Sequence, residues 1–151
     1  MPETTAEKTA SALLSESKVE VAPAIYVLVA IRPADWARLL ENPELSPNTD
    51  APFMIFRDAR EVALLLEEDD WKRIHHAVRD ARVERDFRLL TFEVELAWNV
   101  VGFLARVTEL LAEAGISAGV LSSFSRDHLL IKQQDLANAL RALGPHVAQL
   151  C

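Results

Sequence analysis

Along this chain the apolar positions switch from every second residue to every third or fourth and back, twice over. In the second half Leu90, Phe92, Val94 and Leu96 alternate with Thr91, Glu93 and Glu95, the pattern of a half-buried strand. Val100, Phe103, Leu104, Val107, Leu110, Leu111 and Ala114 then recur at helical spacing, with Arg106, Glu109 and Glu113 opposite. Gly115 stands where such a helix stops. Alternation resumes from Ile116 to Phe124, placing Ile116, Ala118, Val120 and Phe124 on one face. After a Ser125-Arg126-Asp127 turn, Leu129, Leu130 and Ile131 predict a short buried strand. Leu136, Ala139, Leu140 and Leu143 mark a second helix, closed by Gly144 and Pro145.

The first half has the same β-α-β-β-α order. Ile25 to Ile31 is apolar on both faces, as in a central strand. Pro33, Trp36, Leu39 and Leu40 suggest a short helix, and residues 41–52 form a loop rich in Pro, Asn and Asp. Phe53–Phe56 and Val62–Leu66 read as a strand pair, followed by a helix through Trp71, Ile74 and Val78. A gapless shift of 66 aligns the halves, setting Arg60-Glu61 on Arg126-Asp127, Leu28 on Val94 and Trp36 on Gly102. The expected fold class is therefore α+β, a tandem repeat with antiparallel sheets and helices on one face. Each unit lacks a last strand. Arg85–Ala97 is long enough to serve both halves, whereas His146–Cys151 is short, so strand sharing or a partner chain is needed to complete the second.

Composition narrows the classes. Half the residues are apolar and 26% are charged, with a net charge of −7. No basic stripe interleaves with aromatics, which disfavours nucleic acid and anionic membrane surfaces. The lone Cys151 forms no intrachain disulfide and fits a reducing, cytoplasmic setting. Residues 1–22 lack the apolar run of a signal peptide and read as a disordered tail. No stretch is long enough for a membrane span.

Several groups invite chemistry that their surroundings discourage. Ser125, Asp127 and His128 crowd one turn, where a catalytic triad would need groups converging from separate directions. His75 and His76 are adjacent on a helix and cannot share a metal. Glu67-Glu68-Asp69-Asp70 precedes the Trp71 helix, where acids favour the dipole and Asp69 or Asp70 can cap. No metal, cofactor or catalytic residue is expected. Trp36, Trp71 and Trp98 read as packing anchors, with Trp98 also able to wall a pocket. Gly102, where strand feeds helix, is different. Bare N–H groups at such a corner can receive a small anion, or the glycine can simply permit close helix–sheet packing.

The segments Val101-Gly102-Phe103-Leu104, Leu110 to Ser117 and Ser122 to His128, in that order, resemble an ACT domain, a regulatory βαββαβ (ferredoxin-like) module. The similarity is greatest to the tandem-ACT group of CASTOR-type amino-acid sensors and small bacterial and fungal proteins. After the tail at 1–22, it implies a diverged ACT-like unit at 23–86 and an ACT domain at 87–151. Many ACT domains carry Asp and Pro shortly before the turn glycine, where this chain has Asn99 and Val101. The resemblance implies an amino acid or similar small metabolite as ligand, bound at a module interface, with a homodimer or other protein partner. Its carboxylate would meet the backbone of Val100, Val101 and Gly102, with Asn99 as helix cap or ligand contact. Ser122, Ser123 and the Phe124 backbone would supply acceptors, and Asp127 a partner for a cationic group. Equally, the serines can be plain strand residues and Asp127 a turn cap. Trp36 at the aligned corner would leave the first half without an equivalent site. The rival function is a dimerisation module of the same fold that binds no metabolite.

Overall fold

The structure, a computed structural model, describes residues 5–151, with side chains from residue 10 onward. In chain order it contains α1 (Thr5–Glu16), β1 (Lys18–Val21), β2 (Tyr26–Ile31), α2 (Pro33–Leu40) and β3 (Met54–Arg57). β4 (Val62–Glu67), α3 (Glu68–Ile74), β5 (Arg82–Glu93) and α4 (Phe103–Glu113) follow. β6 (Ala118–Ser122), β7 (Asp127–Lys132), α5 (Leu136–Leu143) and β8 (Gln149–Leu150) complete it. The chain divides into a first unit, Ala24–Phe87, and a second that joins the N-terminal residues through Pro23 to Arg88–Cys151.

The first unit is a βαββαβ module, with strand order β3-β4-β2-β5 contributed by residues 82–87 of β5. β2 pairs antiparallel with both β4 and β5, for example Val29 with Leu64 and with Val83. Being central, β2 is apolar throughout. Val27, Val29, Ile31, Leu39, Val62, Leu64, Leu66, Trp71 and Ile74 form its buried core. Trp36 packs against that core, so Trp36 and Trp71 are the anchors expected. Asp69 and Asp70 lie inside the first turn of α3 and do not cap it. Asp70 instead accepts the backbone N–H of Asn48 at 2.8 Å, pinning the long loop. The β2–β5 register slips between Tyr26 and Leu28, and Asp86 adopts a positive φ of 64° there. That is the signature of a β-bulge.

The second unit repeats the order as β5-α4-β6-β7-α5-β8, using residues 88–93 of β5 as its first strand. Both units are thus ferredoxin-like, α+β and built on antiparallel hairpins. Strand β5 serves both, as its length suggested. Completion of the second unit is the surprise. Residues 5–21 are not a tail: α1 and β1 are regular, and only residues 1–4 of that expectation lie outside the described residues. β1 pairs antiparallel with β5, Val19 opposite Phe92, and parallel with β8, Lys18 opposite Gln149. Val21 N–H donates to Cys151 C=O at 3.1 Å and Cys151 N–H to Val19 C=O at 2.8 Å. The short C-terminal strand is therefore stitched to the N-terminal one. Leu14 and Val19 enter the second core with Leu90, Phe92, Phe103, Val107, Leu111, Leu129 and Ile131.

Three boundaries differ from the pattern. β5 ends at Glu93, and Val94 and Leu96 continue as a loop that still packs on the core. α4 begins at Phe103, with Val100 outside it but partly buried. On β6 only the start of the expected apolar face is covered: Ile116 is buried, while Val120 and Phe124 are exposed. β6 is the outer strand of its sheet, pairing with β7 alone.

The repeat is real in topology, but its register is not the gapless one. Leu64 and Leu66 face the first core, and Leu129 and Ile131 face the second. A shift of 66 would superpose Leu64 on Leu130, which lies outside the second core cluster. Because side chains alternate along a strand, a one-residue slip exchanges the faces. The corners differ too. Arg32 alone separates β2 from α2, whereas residues 94–102 separate β5 from α4. Gly102 thus corresponds to Arg32 as the residue entering the helix, and Trp36 lies within α2 and does not block the first unit's corner.

Candidate functional site

Gly102 is the residue on which the second unit's corner turns. It enters α4 with φ 91° and ψ 3°, in the left-handed region that only glycine occupies at no cost. A Cβ placed on it meets no heavy atom within 4 Å. Close helix–sheet packing therefore does not explain the glycine; backbone conformation does, and the corner is open. No side chain caps α4. Asn99 does not take that role, sitting instead in a turn where Val100 N–H donates to Ala97 C=O at 3.0 Å. The first-turn N–H groups of α4 have no capping side-chain oxygen, the condition under which a helix start receives an anion.

Leu96 N–H donates to Ser125 C=O at 2.7 Å, tying the 94–102 loop to the β6–β7 hairpin tip. Within the hairpin, Ser122 Oγ donates to Asp127 Oδ1 at 2.6 Å across a cross-strand pair. Ser123 gives both its N–H and its Oγ to the carbonyl of Arg126. Asp127 retains its second carboxylate oxygen as an acceptor, whereas the Ser123 N–H is spent. Phe124 and Trp98 project fully into solvent, and Val101 is 65% exposed. Trp98 is therefore no packing anchor. Of the eight residues expected at a ligand site, Ser122 and Asp127 are bonded to each other. Ser123 and Phe124 share their hairpin, and Asn99 to Gly102 lie apart in sequence, at the corner that opens α4.

Sequence reasoning missed the group beneath the hairpin. His128 Nε2 lies 3.0 Å from Ser123 Oγ, and its Nδ1 lies 2.9 Å from Thr91 Oγ1. The tautomer follows the Ser123 hydroxyl: when Oγ donates to Arg126 C=O, Nε2 carries the proton and Nδ1 accepts from Thr91, and when Oγ donates to Nε2 the roles reverse. Burial holds the His128 pKa below the usual imidazole value, against the opposing pull of Asp127 and Glu93. Arg126 Nε donates to Glu93 at 3.1 Å alongside. Ser125, Asp127 and His128 do not assemble as a triad. A weakened base facing a threonine hydroxyl, where a triad places a carboxylate, is poorly suited to activating a serine. Thr91 and Glu93 share a face of β5, a legible alternation, but their pairing with β7 needed the tertiary fold. Among the described residues no cluster of His, Cys, Asp and Glu could hold a metal ion. No described helix is long and apolar enough to cross a membrane.

An α+β corner of this kind, with a glycine-started helix and a polar hairpin, has a counterpart in sequence. Residues 82–144 match the family model of the ACT domain. The match covers β5 through α5, so both the Gly102 corner and the β6–β7 hairpin lie inside it. Among solved structures, a Vibrio cholerae protein of unknown function, described as a possible transport protein, is 28% identical with a TM-score of 0.70. That similarity covers 96% of this chain and all of that one. An Agobacterium tumefaciens protein is 20% identical over 90% of this chain and 92% of its own, with a TM-score of 0.71. The regulatory subunit of aspartate kinase from Thermus flavus has the same fold at 13% identity, with a TM-score of 0.69 over 87% and 98% of the two chains. No curated protein matches the chain at a significant level.

Proposed function

We propose that the chain is a cytoplasmic regulatory protein of the tandem-ACT kind that binds an amino acid or similar small metabolite and catalyses no reaction. The open, uncapped helix start at Gly102 carries the reading, and the ACT-domain match over residues 82–144 supports it. The ligand carboxylate meets the N–H groups of Val101 and Gly102, with Val100, whose own N–H is spent on Ala97 C=O, and Asn99 at the rim. Its ammonium or a basic side chain meets Asp127, flanked by Ser122, Ser123 and the Phe124 backbone. Binding at such a site shifts a conformational or assembly equilibrium by the difference in affinity between the two states. The N-terminal helix and strand, residues 23–86 and residues 87–151 then act as one sensor of two ACT-like modules.

The test is thermal unfolding against each of the twenty amino acids. A ligand at ~100 times its dissociation constant adds about 2.7 kcal/mol. For a chain of this size that raises the midpoint by several degrees. Gly102→Asn, which tolerates the left-handed backbone but puts a side chain over the corner, removes the shift while the protein stays folded. Asp127→Ala weakens a cationic ligand more than a neutral one. No shift with any amino acid would refute the reading.

The second reading, a dimerisation module without metabolite, is favoured by the full exposure of Trp98 and Phe124 with Val101 close in sequence. It expects a concentration-dependent homodimer that Trp98→Ser and Phe124→Ser dissociate, with no amino-acid response.

A further inference from the structure

β3 in the first unit and β6 in the second are outer strands, each pairing with one neighbour only. An outer strand offers a row of N–H and C=O groups to any chain that can lie along it. Proteins usually guard such a row with lysine, proline or a bulge. On β6 the apolar run is broken by Gly119 and closed by Ser122. β3 is less guarded. Its residues Met54–Arg57 follow Phe53, and no charge occurs before Arg57. Phe53 is 41% and Phe56 63% exposed.

The hairpin fixes which backbone groups of this edge are spent. Asp58 N–H donates to Glu61 C=O at 3.0 Å, and Met54 lies opposite Leu65 and Phe56 opposite Ala63. Backbone groups alternate in direction along an antiparallel strand, so Met54, Phe56 and Asp58 turn theirs toward β4. Ile55 and Arg57 turn theirs away from it, and Phe53 stands next in that line. Pro52, which has no N–H, ends the row.

We propose that β3 pairs antiparallel with β3 of a second copy, about a two-fold axis through Ile55, joining two first-unit sheets into one. This register is self-consistent in hydrogen bonding, packing and charge. Ile55 faces Ile55 and Arg57 faces Phe53, the outward-turned residues of both copies, so about six hydrogen bonds close without a slip. Met54 then faces Phe56 at the non-hydrogen-bonded positions, where side chains approach most closely. Arg57 meets an aromatic ring and not a second cation. The hairpin end of the strand carries Arg57 and Arg60, and the opposite end carries Asp50. Antiparallel pairing brings these unlike ends together, whereas parallel pairing would bring like ends together. A ribbon of this length is smaller than a permanent interface, so the association is weak and governed by concentration. The surface belongs to the first unit and does not depend on what the Gly102 corner binds.

The test is sedimentation velocity of the full chain from low-micromolar to sub-millimolar concentration, with amide hydrogen exchange followed by NMR at both ends of that range. A monomer–dimer equilibrium should appear. Dimer formation should slow exchange at Ile55 and Arg57, while Met54 and Phe56, already bonded to β4, change little. Phe56→Lys puts a charge into the ribbon from an exposed position and should weaken dimerisation roughly tenfold or more, with unchanged circular dichroism. Arg57→Pro removes an outward N–H, spares the β3–β4 ladder and should have the same effect. A monomer at every concentration, a dimer in which Ile55 and Arg57 exchange at the monomer rate, or wild-type affinity in either variant would overturn the proposal. A dimer that Trp98→Ser and Phe124→Ser dissociate but Phe56→Lys does not would place the contact on the second unit and count against β3.

Discussion

Leu14→Ala separates a structural N-terminus from a disordered one. Leu14 is 4% exposed and belongs to the second unit's core, between α1 and the helix and sheet that carry Phe92 and Val107. Removing a buried leucine side chain costs about 2–5 kcal/mol, from lost transfer energy plus the cavity left behind. α1 packs against α4 and can settle toward it as a unit, which places this site at the low end, about 2–3 kcal/mol. Alanine is the best helix former, so the loss cannot be assigned to helix propensity. For a domain of this size each kcal/mol moves the melting midpoint by about 2–4 °C. Calorimetry should therefore show a fall of about 4–12 °C. Glu16→Ala, at an exposed position of the same helix, should stay within about 0.5 kcal/mol of wild type. A tail in solvent would make the two variants alike. A Leu14→Ala midpoint indistinguishable from that of Glu16→Ala would sink the assignment of α1 and β1 to the core.

Three further outcomes follow from particular groups. Gly102→Ala should cost about 1–2 kcal/mol in denaturant unfolding, because the strain is in the backbone and not in contacts; a neutral result would contradict the positive φ. His128 titrates below its unfolded value, so the unfolded chain binds more protons between the two. Stability should then fall as pH drops from about 6.5 through the folded pKa, and His128→Gln should flatten that slope in pH-dependent melts. Tyr26, the chain's single tyrosine, has its phenol pushed up to about 12 by burial, with Glu67 adding to the shift. Its stabilising share is present below the unfolded value near 10 and is lost as pH rises through the folded one. Ultraviolet titration should show no tyrosinate at pH 10.5 until denaturant is added.

Much of this architecture was legible because period and burial agree. Leu90 and Phe92 alternate with Thr91 and Glu93, and the first pair is buried while the second faces polar partners. Gly102 was visible as a corner, since glycine before a helix is the cheapest way to turn left-handed. The N-terminus was not. Ala10, Leu13 and Leu14 do have helical spacing, but so short a helix is marginal without a surface to pack on. That surface is assembled from residues far along the chain, such as Phe92, Val107 and Leu111. The strand it leads to, Lys18–Val21, is only four residues long and is defined by its partners β5 and β8. The Thr91–His128–Ser123 line escaped for the same reason, since it joins residues from separate strands.

The two corners show how one fold can be put to different chemical uses. Both units enter their first helix from the first strand, at the same end of the same βαββαβ plan. In the first unit a single residue makes the turn, and that residue is Arg32, whose side chain is spent on Asp35 inside α2. Charge at that corner is consequently built in. In the second unit the 94–102 loop delivers a bare left-handed glycine and no capping side chain, leaving backbone N–H groups in place of a guanidinium. A fixed core constrains neither outcome, because both corners lie outside the two buried clusters. The difference in connection length is what the gapless alignment hid, and it sets which groups each corner presents, a paired guanidinium in one and backbone N–H groups in the other.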